Sequence, residues 1–222
     1  MSSRRPGRFA PRLVVMVKAP QCGLVKTRLG RGIGVVAATA FYRHATAATL
    51  ARVGRDRRWI TLLAVAPDRA AGSRFWPRHL GRWPQGGGDL GARMQRILDA
   101  LPPGPVVIIG SDVPGIRPHH IAMAFRALGG SDAVLGPATD GGYWLIGLKR
   151  RPRVPRAFTG VRWSHAETLA DNVAALAGLR VAMAATLADV DEAADHAAAG
   201  RDAGRLVCIS PVAHKSYSQV ES

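Results

Sequence analysis

Two aspartates, Asp112 and Asp140, stand in turns directly behind apolar runs in this chain of 222 residues. The turns read Gly110-Ser111-Asp112-Val113-Pro114-Gly115 and Gly136-Pro137-Ala138-Thr139-Asp140-Gly141-Gly142-Tyr143-Trp144. The runs before them are Val106-Val107-Ile108-Ile109 and Ala133-Val134-Leu135. A carboxylate at the carboxyl end of a buried strand faces the crevice in which open α/β sheets bind their ligands. There it can hold a hard cation, which in turn holds phosphate. Asp beside Pro or Gly is also an ordinary turn former. The recurrence in successive strand–turn units, with a third acidic cluster at Asp189-Val190-Asp191, is what favours a site.

A cationic loop complements these carboxylates. Lys18-Ala19-Pro20-Gln21-Cys22-Gly23-Leu24-Val25-Lys26-Thr27-Arg28-Leu29 follows the first apolar run, residues 13–17. A Gly-bearing loop with Lys18, Lys26 and Arg28 ahead of a helix can grip phosphate through backbone amides and charge. It carries neither the P-loop signature nor the dinucleotide fingerprint. Further on, Arg93 with Asp89 marks either a helix start or another phosphate contact. The seven histidines show no helical metal-ligand spacing, and Cys22 and Cys208 form neither a metal pair nor a disulfide framework. Cys22 reads as a small loop residue.

The elements that must position these residues alternate. Apolar runs at 13–17, 59–66, 106–109, 133–135, 143–148 and 180–184 read as strands. Helical patterns fall at 34–53, with apolar positions Val36, Ala40, Phe41, Ala45 and Ala48, at 89–98 behind an Asp89 cap, at 118–128, at 164–176 behind a Ser164/Glu167 capping box, and at 191–199. Pro67-Asp68 resembles a further helix start. The spacing of residues 133–135 and 143–148 predicts pairing through the Asp140-Gly141-Gly142 turn. Strand–helix alternation argues an α/β fold: a single Rossmann-like domain with a mostly parallel central sheet and helices on both faces. Its expected limits are residues 12–204, between a basic N-terminal tail (1–11) and a C-terminal tail (205–222).

Hydrophobic residues make up 47% of the chain, enough for a sizeable core. No apolar run approaches the ~20 residues of a membrane span, and the basic start lacks the apolar stretch of a secretion signal, which predicts a cytoplasmic protein. The net charge of +16 favours anionic partners. The arginines are scattered and aromatics amount to only 6%, which argues against a nucleic-acid surface and leaves non-catalytic nucleic-acid binding as the remote alternative.

Taken in order, the segments resemble a known family. Pro20-x-x-Gly23-x-Val25-Lys26-Thr27-Arg28-Leu29, Gln85-x-x-Gly88-Asp89-Leu90-Gly91-x-Arg93-Met94, the Asp112 turn, the stretch from Gly136 to Leu148, Trp163-Ser164 and Asp189-Val190-Asp191 are similar to the radical-SAM/selenodomain-associated transferase 1 family. That family is a glycosyltransferase-like branch of the nucleotide-diphospho-sugar transferases, with a GT-A-like fold. The resemblance implies that the loop of Lys26 and Arg28 binds nucleotide phosphates, that Asp112 and Asp191 hold Mg²⁺ or Mn²⁺, and that Asp140 with Gly141 and Gly142 lines the acceptor side. It departs from the family pattern at Cys22, His165 and Glu192-Ala193. It implies a nucleotide or nucleotide-sugar donor and a small-molecule acceptor. Two reactions fit these groups: glycosyl transfer with loss of a nucleoside diphosphate, or nucleotidyl transfer with loss of pyrophosphate. The basic loop's spacing, similar to that of phospholactate guanylyltransferases, keeps the second open.

Overall fold

Strands of a parallel sheet are covered on both faces and therefore need continuous apolar runs. The computed structural model, which describes residues 9–150 and 154–188, builds the interior of its sheet from such runs, with seven strands in all. They are β1 (Arg12–Lys18), β2 (Ile60–Ala66), β3 (Gly81–Pro84), β4 (Val106–Gly110), β5 (Ala133–Pro137), β6 (Tyr143–Leu148) and β7 (Val181–Met183). The spatial order is β3-β2-β1-β4-β6-β5-β7, and only β6 runs antiparallel to its neighbours. The chain moves outward from β1 through β2 to β3 and then returns to lay β4 on the other flank of β1. The carboxyl ends of β1 and β4 thus flank a topological switch point, where a crevice opens.

Among the described residues five helices cover the sheet: α1 (Thr27–Ile33), α2 (Val35–Val53), α3 (Leu90–Ala100), α4 (Pro118–Gly130) and α5 (Thr168–Ala175). Alternate residues of each strand feed the two cores. Leu13, Val15, Val17, Val107 and Ile109 pack with Leu50 and Val53 of α2 and with Ile121, Ala124 and Leu128 of α4. Val14, Val106 and Ile108 meet Met94, Ile97 and Leu98 of α3, with Leu169 and Leu176 at α5. The expected mostly parallel α/β architecture with helices on both faces is what the chain adopts. No helix among the described residues is long and apolar enough to cross a membrane.

The local differences from the sequence reading have physical causes. Strand β3 escapes apolar periodicity because Gly81-Arg82-Trp83-Pro84 is an edge strand of four residues. The helix expected at 34–53 is α2, but ahead of Gly34 (φ 86°) residues 27–33 of the expected loop form a separate helix, so Arg28 lies in α1. Helix α2 buries Ala38, Tyr42, Ala45, Thr46, Thr49 and Leu50 and leaves Val36 exposed, because an Ala-rich helix offers little apolar asymmetry to orient it. Pro67-Asp68 opens only a single 3₁₀ turn, Asp68–Gly72. Ser164 does not cap α5, which begins at Thr168 behind Glu167; Ser164 has φ 57° instead and faces the crevice. The Asp89 cap holds, accepting the Ala92 amide at 2.8 Å. The predicted helix at 191–199, the domain limit at 204 and both tails beyond residues 9 and 188 lie outside the described residues.

Candidate active site

The floor of the crevice is made by the ends of β1 and β4, tied together from beneath by one phenol. Tyr42 of α2 accepts the Lys18 amide at 2.8 Å, and its hydroxyl stands 3.2 Å from both the Lys18 carbonyl and Ser111 Oγ. Burial raises the Tyr42 pKa, so the phenol keeps its proton. Gln85, also buried, donates to the Val17 and Ala64 carbonyls at 3.0 and 2.8 Å, joining the ends of β1 and β2. These two side chains fix where Lys18 and Ser111-Asp112 stand. The sequence does not single out Tyr42, and it shows Gln85 only as the first residue of the Gln85-x-x-Gly88 segment, because their role lies in long-range contacts.

Above the floor, Lys26 Nζ lies 2.7 Å from Asp112 Oδ2. The lysine side chain is 4% exposed and the aspartate 32%. Lys26 itself sits in the left-handed region (φ 46°) at the head of α1, a conformation that costs a non-glycine residue of order 1 kcal/mol and is commonest at functional sites. The strained turn aims the ammonium back onto the β4 end. A cavity of about 370 Å³ opens here, lined among others by Lys18, Lys26, Arg93, Ser111, Asp112 and Tyr143.

A second chamber of about 590 Å³ continues past Lys18 and Arg93 to Gln21, Leu24, Asp68, Arg69, Gly86 and Gly87. Its outer wall is a stretched glycine turn held from three sides. Asp68 Oδ1 accepts the Gly86 amide at 2.9 Å, Arg96 donates to the Gln85 and Gly87 carbonyls at 2.7 and 3.0 Å, and Arg93 Nε donates to the Gly88 carbonyl at 2.8 Å. Gly86 (φ 74°) has no room for a Cβ, which would meet the Arg96 guanidinium.

On the opposite side a third chamber of about 400 Å³ contains Arg28, Asp112, Asp140, Tyr143, Trp163, Ser164 and His165. Asp140 Oδ1 accepts the Gly142 amide at 2.9 Å, which orients the carboxylate within its turn. The opposing loop folds around Thr168, whose hydroxyl donates to the Arg162 or His165 carbonyl (2.7 and 2.6 Å). Arg162 and Asp171 lock its outer end at 2.8 Å; this bond, chiefly from the Arg162 side chain, lowers the Asp171 pKa to about 2.

The structure therefore brings together Lys18, Lys26, Arg93 and Asp112 in one cavity, and Arg28, Asp112 and Asp140 in the next. Gly23 does not line any of these chambers; its φ of 76° serves the turn in which the Leu24 amide reaches the Gln21 carbonyl at 3.1 Å. Asp191 lies outside the described residues. Among the described residues no three His, Cys, Asp or Glu side chains converge as a metal-binding group. Asp112 alone stands beside the cationic cavity, which suits an ion that uses one or two protein carboxylates and completes its shell with phosphate oxygens and water. Cys22 is exposed and free.

This architecture has known counterparts. The chain is similar to a protein of Desulfovibrio desulfuricans G20 provisionally described as a nucleotide-diphospho-sugar transferase, with 30% identity, 89% of each chain covered and a TM-score of 0.79. In fold alone it is similar to 4-diphosphocytidyl-2C-methyl-D-erythritol synthase of Anaerococcus prevotii (10% identity, 89% of this chain and 100% of the other, TM-score 0.58). It is likewise similar to Rv0371c of Mycobacterium tuberculosis H37Rv in complex with manganese (14% identity, 86% and 97%, TM-score 0.50). No curated protein matches it in sequence. The profile of a family described as "Uncharacterized protein conserved in bacteria" (DUF2064) matches residues 49–165, a span that includes Arg93, Asp112 and Asp140. The chain belongs to this DUF2064 family and has the fold of the nucleotide-diphospho-sugar transferase superfamily.

Proposed function

We propose that this protein is a metal-dependent transferase acting on an activated nucleotide, of the glycosyltransferase-like kind that takes a nucleotide-diphospho-sugar, and within it the radical-SAM/selenodomain-associated transferase 1 family. The observation that carries the reading is the Lys26–Asp112 pair at the β1/β4 switch point, with Lys18 and Arg93 beside it. The D. desulfuricans relative supports the donor class.

In this reading the nucleoside lies along the glycine turn, in the chamber of Asp68 and Gly86, and its diphosphate crosses Lys18, Arg93 and Lys26. Those three cations stabilise the negative charge that grows on the departing diphosphate. Asp112, with Asp191 as its expected partner, would hold Mg²⁺ or Mn²⁺, which adds charge neutralisation at the same oxygens when bound. Asp140 stands on the acceptor side, where its Oδ2 can take the proton of the attacking hydroxyl. Tyr143, Trp144 and Trp163 form the aromatic wall of this side.

Thermal unfolding with UDP-, GDP-, CDP- and ADP-sugars and with nucleoside triphosphates, each with and without Mg²⁺ or Mn²⁺, tests this. A rise in Tm with one nucleotide class, larger with metal, is the expected result; no response at millimolar concentration overturns it. Release of a nucleoside diphosphate marks glycosyl transfer, and release of pyrophosphate marks the nucleotidyl alternative.

A further inference from the structure

The crevice is divided by charge. The cavities along β1 and the glycine turn gather Lys18, Lys26, Arg69 and Arg93 against Asp68 and Asp112, a surplus of two positive charges. The third chamber has no such surplus. Its lining holds one arginine, Arg28, against the carboxylates of Asp140 and Asp112, and Asp112 is already paired with Lys26. Its aromatic and hydroxyl-bearing walls include Tyr143, Trp144, Trp163, Ser164 and His165.

The chamber is also rigidly built. Gly141 (φ 86°) lies so close to Ala166 that a Cβ there would run into the Ala166 backbone, and the Leu169 amide donates to the Gly141 carbonyl at 3.0 Å. The two loops that carry its polar groups are therefore clamped to each other. His165 Nδ1 accepts the Glu167 amide at 3.1 Å, so the neutral ring carries its proton on Nε2 and offers a donor. Asp140 keeps Oδ2 as an acceptor once Oδ1 has taken the Gly142 amide. Ser164, held at φ 57°, adds a hydroxyl that can both donate and accept.

An aromatic wall, one fixed acceptor, one fixed donor and no net positive charge suit an uncharged molecule with several hydroxyl groups. A phosphorylated or carboxylic molecule would meet Asp140 and Asp112 without a surplus cation to offset them. We infer that the chamber between the 138–142 and 163–168 loops is the acceptor subsite and that it takes an uncharged polyhydroxylated acceptor, a sugar or polyol, in preference to an anionic one. This rests on the proposed transferase only for the word acceptor; binding in the chamber is measured without nucleotide.

Saturation-transfer NMR on the full chain, with methyl α-D-glucoside, methyl α-D-mannoside and glycerol set against glycerol 3-phosphate and 3-phosphoglycerate, reads the preference. At least one neutral probe is expected to bind in the third chamber, whereas the two anions, which the neighbouring cationic cavity also attracts, are expected to bind without help from Asp140 or His165. Asp140→Asn and His165→Ala are each expected to weaken binding of the neutral probe tenfold or more, while any nucleotide-induced rise in Tm stays unchanged. Tryptophan fluorescence should change with the neutral probes in the wild type and not in Trp163→Phe, since the Trp163 ring lines the chamber. Anion binding that both substitutions weaken, no neutral probe bound with a Kd below about 50 mM, or sugar binding indifferent to both substitutions overturns the inference. A nucleotide response without sugar binding sinks the inference alone; sugar binding without any nucleotide response sinks the proposed function alone.

Discussion

At the scale of single residues, the Lys26–Asp112 pair makes two substitutions pull in opposite directions. The ammonium holds the carboxylate oxygen that a divalent cation would need, so the two compete for Asp112. Lys26→Ala should therefore tighten binding of Mn²⁺ alone, while weakening nucleotide binding by about tenfold, roughly 1.4 kcal/mol. Calorimetric titration of metal and of nucleotide, run separately, reads both signs. Asp112→Asn preserves the turn, because Asn suits it equally well. It should abolish the metal dependence of the nucleotide response, since a neutral amide is a far poorer ligand for a hard cation. It also leaves an almost fully buried ammonium facing a weaker partner, which should cost about 1–2 kcal/mol, discounted because Asp112 is partly in solvent. An Asp112→Asn protein with unchanged metal response would move the metal site to other carboxylates.

At the scale of elements, the site depends on two ties that hold strand ends and loops in place. Tyr42→Phe keeps the packing of α2 but takes this acceptor from the part-buried Lys18 amide, which should cost about 1 kcal/mol. Turnover should fall with stability in this variant, because Lys18 and Ser111 lose their common anchor; a fully stable, fully active Tyr42→Phe would show the tie to be incidental. Gly141→Ala should cost about 2–3 kcal/mol, from its positive φ together with the collision against Ala166. Gly129→Ala in α4, where a Cβ meets nothing within 4 Å, is the control and should be neutral or slightly stabilising. Denaturant titration of the pair separates the collision from generic loss of a glycine. The same distinction explains what the sequence reveals. Long buried strands such as β1 and β4 announce themselves by unbroken apolar runs, and Asp112 and Asp140 by their place just after such runs. Strand β3, with no apolar run, does not. Nor do the roles of Tyr42 and Gln85, whose hydrogen bonds reach residues 24, 69, 68 and 21 positions away. The Lys26–Asp112 pair was equally hidden, since each residue reads by itself as a ligand-binding group and only the fold sets them against each other.

At the scale of the whole molecule, stability should carry the mark of one histidine. His120, at the third position of α4, accepts the Arg117 amide on Nδ1 at 3.2 Å and lies 5.8 Å from the Trp144 ring. The ring is half-buried, with His119 at 4.0 Å between centroids and Arg117 beside it. Burial first, and then these two positive neighbours, push its pKa down from 6.5 to about 4. Below pH 6.5 the unfolded chain takes up a proton that the folded ring refuses until about pH 4. The unfolded state therefore binds more protons in that window, and stability falls as the pH drops through it. The full shift is discounted for the exposed half of the ring, which leaves roughly 1 kcal/mol, or about 2–4 °C in Tm. The Asp171 carboxylate adds its own loss only between its ordinary 3.8 and about 2, so a comparison ended at pH 4.5 does not include it. His120→Gln keeps an acceptor for the Arg117 amide and cannot titrate, and Gln is a favourable third residue for a helix. Unfolding of both proteins from pH 7.5 to 4.5 should show the wild type losing that additional stability below pH 6.5 while the variant does not. Parallel profiles would mean that the proton enters elsewhere and that the α4 start is not the acid-sensitive point of the fold.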